Sequence, residues 1–310
     1  MTPNPSNSIP SKQLLPEHVA LLRARFRAYQ LVKRIQALFL ILTITLPVAS
    51  VLLVPTYPQI KPYVALMALV LLLLDTTLIE RLQKDLMKRG ARLQEEFDVK
   101  VLGMSWNRFV TGAMVDHEDA HAASAKPLSR TREAELTPWY EPCVGEVPLA
   151  LGRLICQRTN ISYDGRLRRR YGAYLLYGTI TTGVALLFAA LALDLSFSAM
   201  LLTLAVPFTP VLNWALREHR KQLDTVTALA NLKAEFERLW DKALAGAEPA
   251  DLEKGSRQLQ DAIYQHRASS PLVFDWVYDF LRKANEDEAH HAAWQLVTQA
   301  KAVVSKEAVA

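Results

Sequence analysis

Ile35 to Val54 is a run of 20 residues without a single charge. As an α-helix it is about 30 Å long, which matches the hydrocarbon core of a bilayer. Three further stretches repeat the pattern: 63–79, interrupted only by Asp75, then 173–193 and 197–214. The first two are separated by Pro55-Thr56-Tyr57-Pro58-Gln59-Ile60-Lys61-Pro62, a turn that cannot continue a helix. Asp194, Leu195 and Ser196 separate the last two. In water these runs would need a thick covering of protein, and the remaining sequence is too polar to supply it. The expected fold class is an all-α integral membrane protein, with four transmembrane helices as two hairpins and a helical cytoplasmic body.

Orientation follows from the cations. Arg23, Arg25, Arg27, Lys33 and Arg34 precede the first span, and Arg81, Lys84, Lys88, Arg89 and Arg92 follow the second. Arg166, Arg168, Arg169 and Arg170 precede the third; Arg217, Arg220 and Lys221 follow the fourth. The two hairpin turns carry one cation, Lys61. All four clusters point to one side, so the expectation is N-in and C-in. The net charge of +5 is read first as topology, and no nucleic acid polymer is expected as a partner. The polar segment 1–34 and the length of the first apolar run argue against a cleaved secretory signal. The organisation is thus a cytoplasmic segment 1–34, a hairpin 35–79, a cytoplasmic loop 80–170, a hairpin 171–214 and a helical tail 215–310.

Helical periodicity continues past the spans. Leu82, Leu86, Leu93 and Phe97 are spaced four, seven and four; Leu229, Leu232, Phe236, Leu239 and Ala243 alternate three and four. Both stretches are expected to extend span helices into the cytoplasm and to pack together. Two or three further helices are expected, the clearest around 252–266 and 271–283, then one near 286–305. Cys143 and Cys156 have no metal-ligand or CxxC spacing and are read as reduced thiols.

Each candidate site has a bland counterpart. His117-Glu118-Asp119-Ala120-His121 has the letters of HExxH, in which two imidazoles flank a general base on one helical face. Its polar flanks, its internal Asp119 and the lack of a third ligand favour a solvated helix start, so no metal is expected. Arg166, Arg168, Arg169 and Arg170 are candidates for lipid or nucleotide phosphates, although topology alone demands cations there. Asp75 is an acid within a span, a functional candidate by default, with Arg81 or Arg170 as its expected partner. Pro207 and Pro210 remove backbone donors from the fourth span and mark a hinge or an irregular helix end. No P-loop, dinucleotide fingerprint, nucleophile elbow or Cys/His framework occurs. Neither a catalytic set nor a cofactor is expected.

Several phrases carry a resemblance. Gln94-Glu95-Glu96-Phe97-Asp98, Val101 to Asn107, Trp139-Tyr140, Leu154 to Asn160 and Arg166 to Tyr171 are joined by the late stretch Ser270 to Tyr278. Together with the span count, this sequence resembles the SMODS-associated four-transmembrane effector family over nearly its whole length. The resemblance implies a pore-forming effector of bacterial antiphage defence in the inner membrane. It also implies activation through the cytoplasmic part by a cyclic oligonucleotide or a partner protein. Trp106, Asn107, Trp139, Tyr140, Gln157, Arg158 and Asn160 then become sensing or gating candidates. A single four-span subunit is too thin for a wide channel, so a homo-oligomer in the lipid bilayer is expected. The rival readings are a non-conducting membrane scaffold or receptor and, resting on the one pentapeptide, a membrane-bound zinc hydrolase.

Overall fold

The computed structural model describes residues 6–307, except for the side chains of positions 163–164, 166, 276, 278–287, 289 and 304–307. The chain is all-α, and four of its helices are long and apolar enough to cross a membrane. These are α1 (Pro16–Leu53), α2 (Pro58–Leu102), α3 (Leu149–Ala192) and α4 (Phe197–Leu244). Two more follow, α5 (Pro249–Ser269) and α6 (Asp275–Glu307). Between α2 and α3 the chain forms only short helical turns, among them Arg108–Thr111, His117–Ser124 and Arg130–Ala134.

Each membrane helix extends well past its apolar run into a polar body. α1 starts at Pro16, where a missing N–H costs nothing, with Glu17 in the favourable first turn. α2 ends at Gly103, whose φ of 64° is the left-handed cap that glycine adopts without strain. Arg153 reinforces that end: its Nε donates to the Leu102 carbonyl and its Nη2 to the Gly103 carbonyl, both at 2.9 Å. The first hairpin turn is made at Pro55–Tyr57, and the second carries Asp194 at φ 50°.

α3 packs most extensively on α4, and the polar half of α2 packs on α1. Gly90 permits that second approach, since a Cβ there would lie 2.7 Å from Tyr29 Cε1. The two cytoplasm-expected extensions touch at their membrane ends, where Lys221 of α4 bonds Glu80 of α2. The polar half of α2 lies against α1 and α5, while that of α4 lies against α3 and α5. Farther out they meet through one shared core, in which Leu93 and Phe97 of α2 join Leu154 and Ile155 of α3 and Phe236 and Trp240 of α4. The tail has two helices, the lower of the two expected numbers: 275–307 is one helix, because no glycine or proline interrupts it near position 285. Pro271 to Phe274 forms a non-helical lead-in to that helix.

A second cluster, with Phe39, Tyr171, Trp214 and Phe274, forms a waist, and a third joins Val51, Leu186, Ala190 and Leu204 among the spans. Outside these contacts the spans present bare apolar side chains, among them Leu66, Leu73, Ile180 and Phe188. Such a continuous apolar surface belongs in lipid. The chain is a membrane protein.

Candidate functional site

Glu95 and Asp98 stand three residues apart on α2 and so share one face of the helix. Both are fully buried. A buried carboxylate is tolerated only when donors replace its water, and here the donors come from α5. Arg257 Nη2 lies 2.7 Å from Glu95 Oε1, and Gln260 Nε2 donates to Glu95 Oε2 at 2.7 Å. Asp98 Oδ2 accepts from Arg267 Nη1 at 2.5 Å and from Gln260 Nε2 at 3.1 Å. The Tyr140 hydroxyl donates to Asp98 Oδ1 at 2.7 Å.

The network extends to α3. Gln157 Nε2 donates to Gln260 Oε1 at 3.1 Å and to the Ser256 carbonyl at 2.8 Å. Ser256 Oγ returns a bond to Gln157 Oε1 at 2.9 Å. Asn160 Nδ2 donates to the Tyr140 hydroxyl at 3.1 Å. At the edge, Asn107 Nδ2 and Arg257 Nη2 both donate to the carboxylate of Asp261, at 2.8 and 2.7 Å.

Electrostatics follow from this burial. Loss of water, and next the charge of Asp98, push the Glu95 carboxyl up from its ordinary value. The same two causes, in the same order, push the Tyr140 hydroxyl well up. For Arg267, burial works against the charge, but Asp98, Tyr140 and Glu95 outweigh it and hold the guanidinium more firmly protonated than usual. The result is a charged clamp between loop and tail.

The sequence candidates thus divide. Asn107, Tyr140, Gln157 and Asn160 meet in the clamp. Trp139 packs edge-on to Phe97, with centroids 6.4 Å apart, and Arg25 covers its ring at 4.7 Å. Trp106 Nε1 donates to the Gly112 carbonyl at 2.9 Å and braces the neighbouring turn. Arg158 points elsewhere, over the Phe236 ring at 5.9 Å, and its half-burial lowers its pKa. Glu95, Asp98, Arg257, Gln260 and Arg267 were not among the sequence candidates.

A second charge cluster lies at the waist. The π turn Asp75–Ile79 interrupts the helix of α2, and Asp75 is buried there. Its partner is neither Arg81 nor Arg170 but Arg217, whose Nη2 approaches Oδ2 to 2.6 Å. Arg217 is reached because α4 crosses α2 at this level, a contact that sequence proximity does not reveal. Lys221 Nζ adds a bond to Glu80 at 2.8 Å.

Of the arginine run, Arg169 and Arg170 are exposed. Arg168 is buried, and its Nη1 donates to Gln222 Oε1 at 3.1 Å and to the Pro271 carbonyl. Its guanidinium therefore joins α3 to α4 and to the lead-in of α6. The Arg166 side chain lies outside the described residues. Pro207 and Pro210 are buried in α4, directly after the π turn Leu201–Ala205. His117 and His121 are both exposed, and Asp119 pairs with Arg89 at 3.1 Å. Among the described residues no group of three or more His, Cys, Asp or Glu side chains is placed to hold a metal.

The chain matches the family model described as the SMODS-associating 4TM effector domain over residues 7–296. It is 26% identical over 218 residues to a Bacillus cereus (strain VD146) protein named as a probable CBASS effector molecule, with 68% of this chain and 69% of that protein covered. No solved structure matches it.

Proposed function

The chain belongs to the SMODS-associating 4TM effector family, and from that premise we propose that it is an antiphage defence effector that breaks the membrane barrier when its polar body is triggered. The trigger in this reading is a cyclic oligonucleotide or a partner protein, the body faces the cytoplasm, and several copies assemble to form the pore. The observation that supports it most is the continuity of α4. One helix carries Arg217 against Asp75 at the membrane and Phe236 and Trp240 in the core of the body. A change in how the body holds α4 is therefore transmitted to the span without an intervening hinge loop. The clamp through Glu95 and Asp98 supplies such a holding point, since it ties α2 and α3 to the tail helix α5 that packs against α4.

The test is membrane depolarisation in cells carrying an inducible gene for the protein, with and without a cyclic-oligonucleotide synthase. Depolarisation that depends on the synthase supports the proposal. If cells producing the protein and supplied with messenger keep their membrane potential, the pore reading falls and a non-conducting scaffold replaces it.

A further inference from the structure

A groove distinct from the clamp and the waist lies between α1 and α2 where both leave the apolar layer. It has a volume of about 280 Å³ and is lined by Arg27, Arg34, Arg89 and Lys126 together with Leu31 and Leu86. No acidic side chain lines it. Arg89 is paired with Asp119. Arg27 donates through Nη2 to the Pro127 carbonyl at 2.6 Å, which fixes the loop bearing Lys126, while its buried Nε has no partner. Arg34 and Lys126 are exposed and, among the described residues, have no ion-pair partner. Four cations converging on one concavity, with one carboxylate between them, leave an unmet demand for negative charge.

What continues the groove indicates the occupant. Along α1, steps of four and then three residues from Arg34 lead to Leu38 and Ile41, which are 61% and 62% exposed. Along antiparallel α2, steps of four from Leu86 lead back to Leu82 and Leu78, also exposed. The basic floor thus opens directly onto a bare apolar track. Arg27 and Arg34 are separated by about 10 Å along the helix, comparable with the depth of a headgroup layer. A ligand with an anionic phosphodiester at one end and hydrocarbon at the other fits this sequence of surfaces.

We infer that the groove holds the phosphodiester headgroup of an anionic phospholipid, with the acyl chains laid along Leu38, Ile41 and Leu78. The site is independent of pore formation and of the direction in which the chain is inserted. It goes beyond a general attraction of cations to the interface, because the guanidiniums and the ammonium close on one cavity.

The test uses full-length protein purified in neutral detergent, with co-purified phospholipid counted by class per protomer, followed by titration with phosphatidylglycerol. Arg34→Gln/Lys126→Gln removes the two unpaired cations and leaves the loop anchor at Arg27 intact. Each is worth about fivefold near an anionic surface, so phosphatidylglycerol should bind about twenty-five-fold more weakly. Arg34→Lys/Lys126→Arg should bind as wild type. Arg169→Gln/Arg170→Gln, at an exposed cation pair outside the groove, should also leave binding unchanged. Equal losses in the Arg34/Lys126 and Arg169/Arg170 glutamine variants, or none in either, would overturn the site. Displacement of the lipid by a soluble cyclic dinucleotide, with the same residue dependence, would assign the groove to that ligand and overturn the lipid assignment.

Discussion

Arg217 and Asp75 join the second and fourth membrane helices, with Nη2 2.6 Å from Oδ2. Asp75 is buried, and it sits where the Glu80 N–H reaches back five residues to the Asp75 carbonyl instead of four. A π turn of this kind is an irregularity that recurs at functional sites. Removing one partner of a buried pair leaves the other charge uncompensated, at a cost of about 3–5 kcal/mol. If the pair holds the resting bundle, Asp75→Asn should depolarise cells without a messenger. The swap Asp75→Arg/Arg217→Asp should restore much of the resting barrier. A swap that leaks as freely as the single variant would remove this contact from the closed state.

The clamp predicts a pH dependence. The Glu95 pKa is raised in the folded protein, first by burial and then by Asp98. Between the unfolded carboxylate range and that raised value, the folded state binds the extra proton. Stability contributed by Glu95 is therefore fully present at low pH and is lost as pH rises through the folded pKa. Glu95→Gln keeps the shape and removes the titration. Thermal unfolding in detergent across the acidic to neutral range should show a shallower decline for Glu95→Gln than for wild type. Parallel curves would mean that Glu95 titrates as it does when unfolded.

The four spans could be read from sequence because a long uncharged run has few homes other than a bilayer. The pairing of Asp75 was hidden for the opposite reason: Arg217 is 142 positions away, and local spacing ranks nearer cations first. The clamp was half visible. Glu95, Asp98, Tyr140 and Gln157 lay in recognisable phrases, but Arg257, Gln260 and Arg267 look like the solvated face of an ordinary amphipathic helix. The available signal was their spacing, which keeps 256, 260, 263 and 267 on one side of α5 with buried Ile263 among them. A polar stripe that includes a buried isoleucine points inward. The sequence leaves two or three tail helices open because hydrophobic periodicity weakens between 283 and 290, although no glycine or proline there breaks a helix.

The clamp also separates candidates by function. Gln157 links α3 to α5 through three hydrogen bonds, and Asn107 reaches Asp261. Hydrogen bonds of this kind are worth about 0.5–1.5 kcal/mol each, and about 1.5–3 kcal/mol where the partner is charged. Gln157→Ala and Asn107→Ala should abolish toxicity while the protein still reaches the membrane fraction. Trp106→Ala and Asn160→Ala should do so too, through the Gly112 turn and the Tyr140 hydroxyl. Arg158→Ala tests a different contact, the Phe236 face of α4. Full toxicity in all five variants at matched protein level would dissociate the body from triggering.

Orientation is open to direct measurement. Reporter fusions after Lys61 and after Asp194 should report the outside, and fusions after Lys100 and Ala310 the inside. A cytoplasmic signal at Lys61 would sink the two-hairpin topology and, with it, the placement of the clamp in the cytoplasm.

The fourth span combines a π turn with two prolines. The Val206 N–H bonds to the Leu201 carbonyl, five residues back, and Pro207 and Pro210 then follow without donors of their own. Three consecutive irregularities within one span lower its resistance to bending, and they lie between the hairpin turn and the Arg217 contact. A proline inside a helix costs about 3 kcal/mol relative to alanine, so Pro207→Ala/Pro210→Ala should straighten and stiffen the segment. Both prolines are buried, and the smaller side chains give back part of that gain through lost packing. If triggering bends α4 here, the double variant should need more messenger for half-maximal depolarisation. Pro47→Ala is the matched control, since Pro47 is also buried inside a span but lies on α1, which does not carry Arg217. It should leave the threshold where it is. An unchanged threshold in the Pro207/Pro210 variant, or an equal rise in the Pro47 control, would exclude a hinge in α4 and leave movement of rigid helices as the way the spans open.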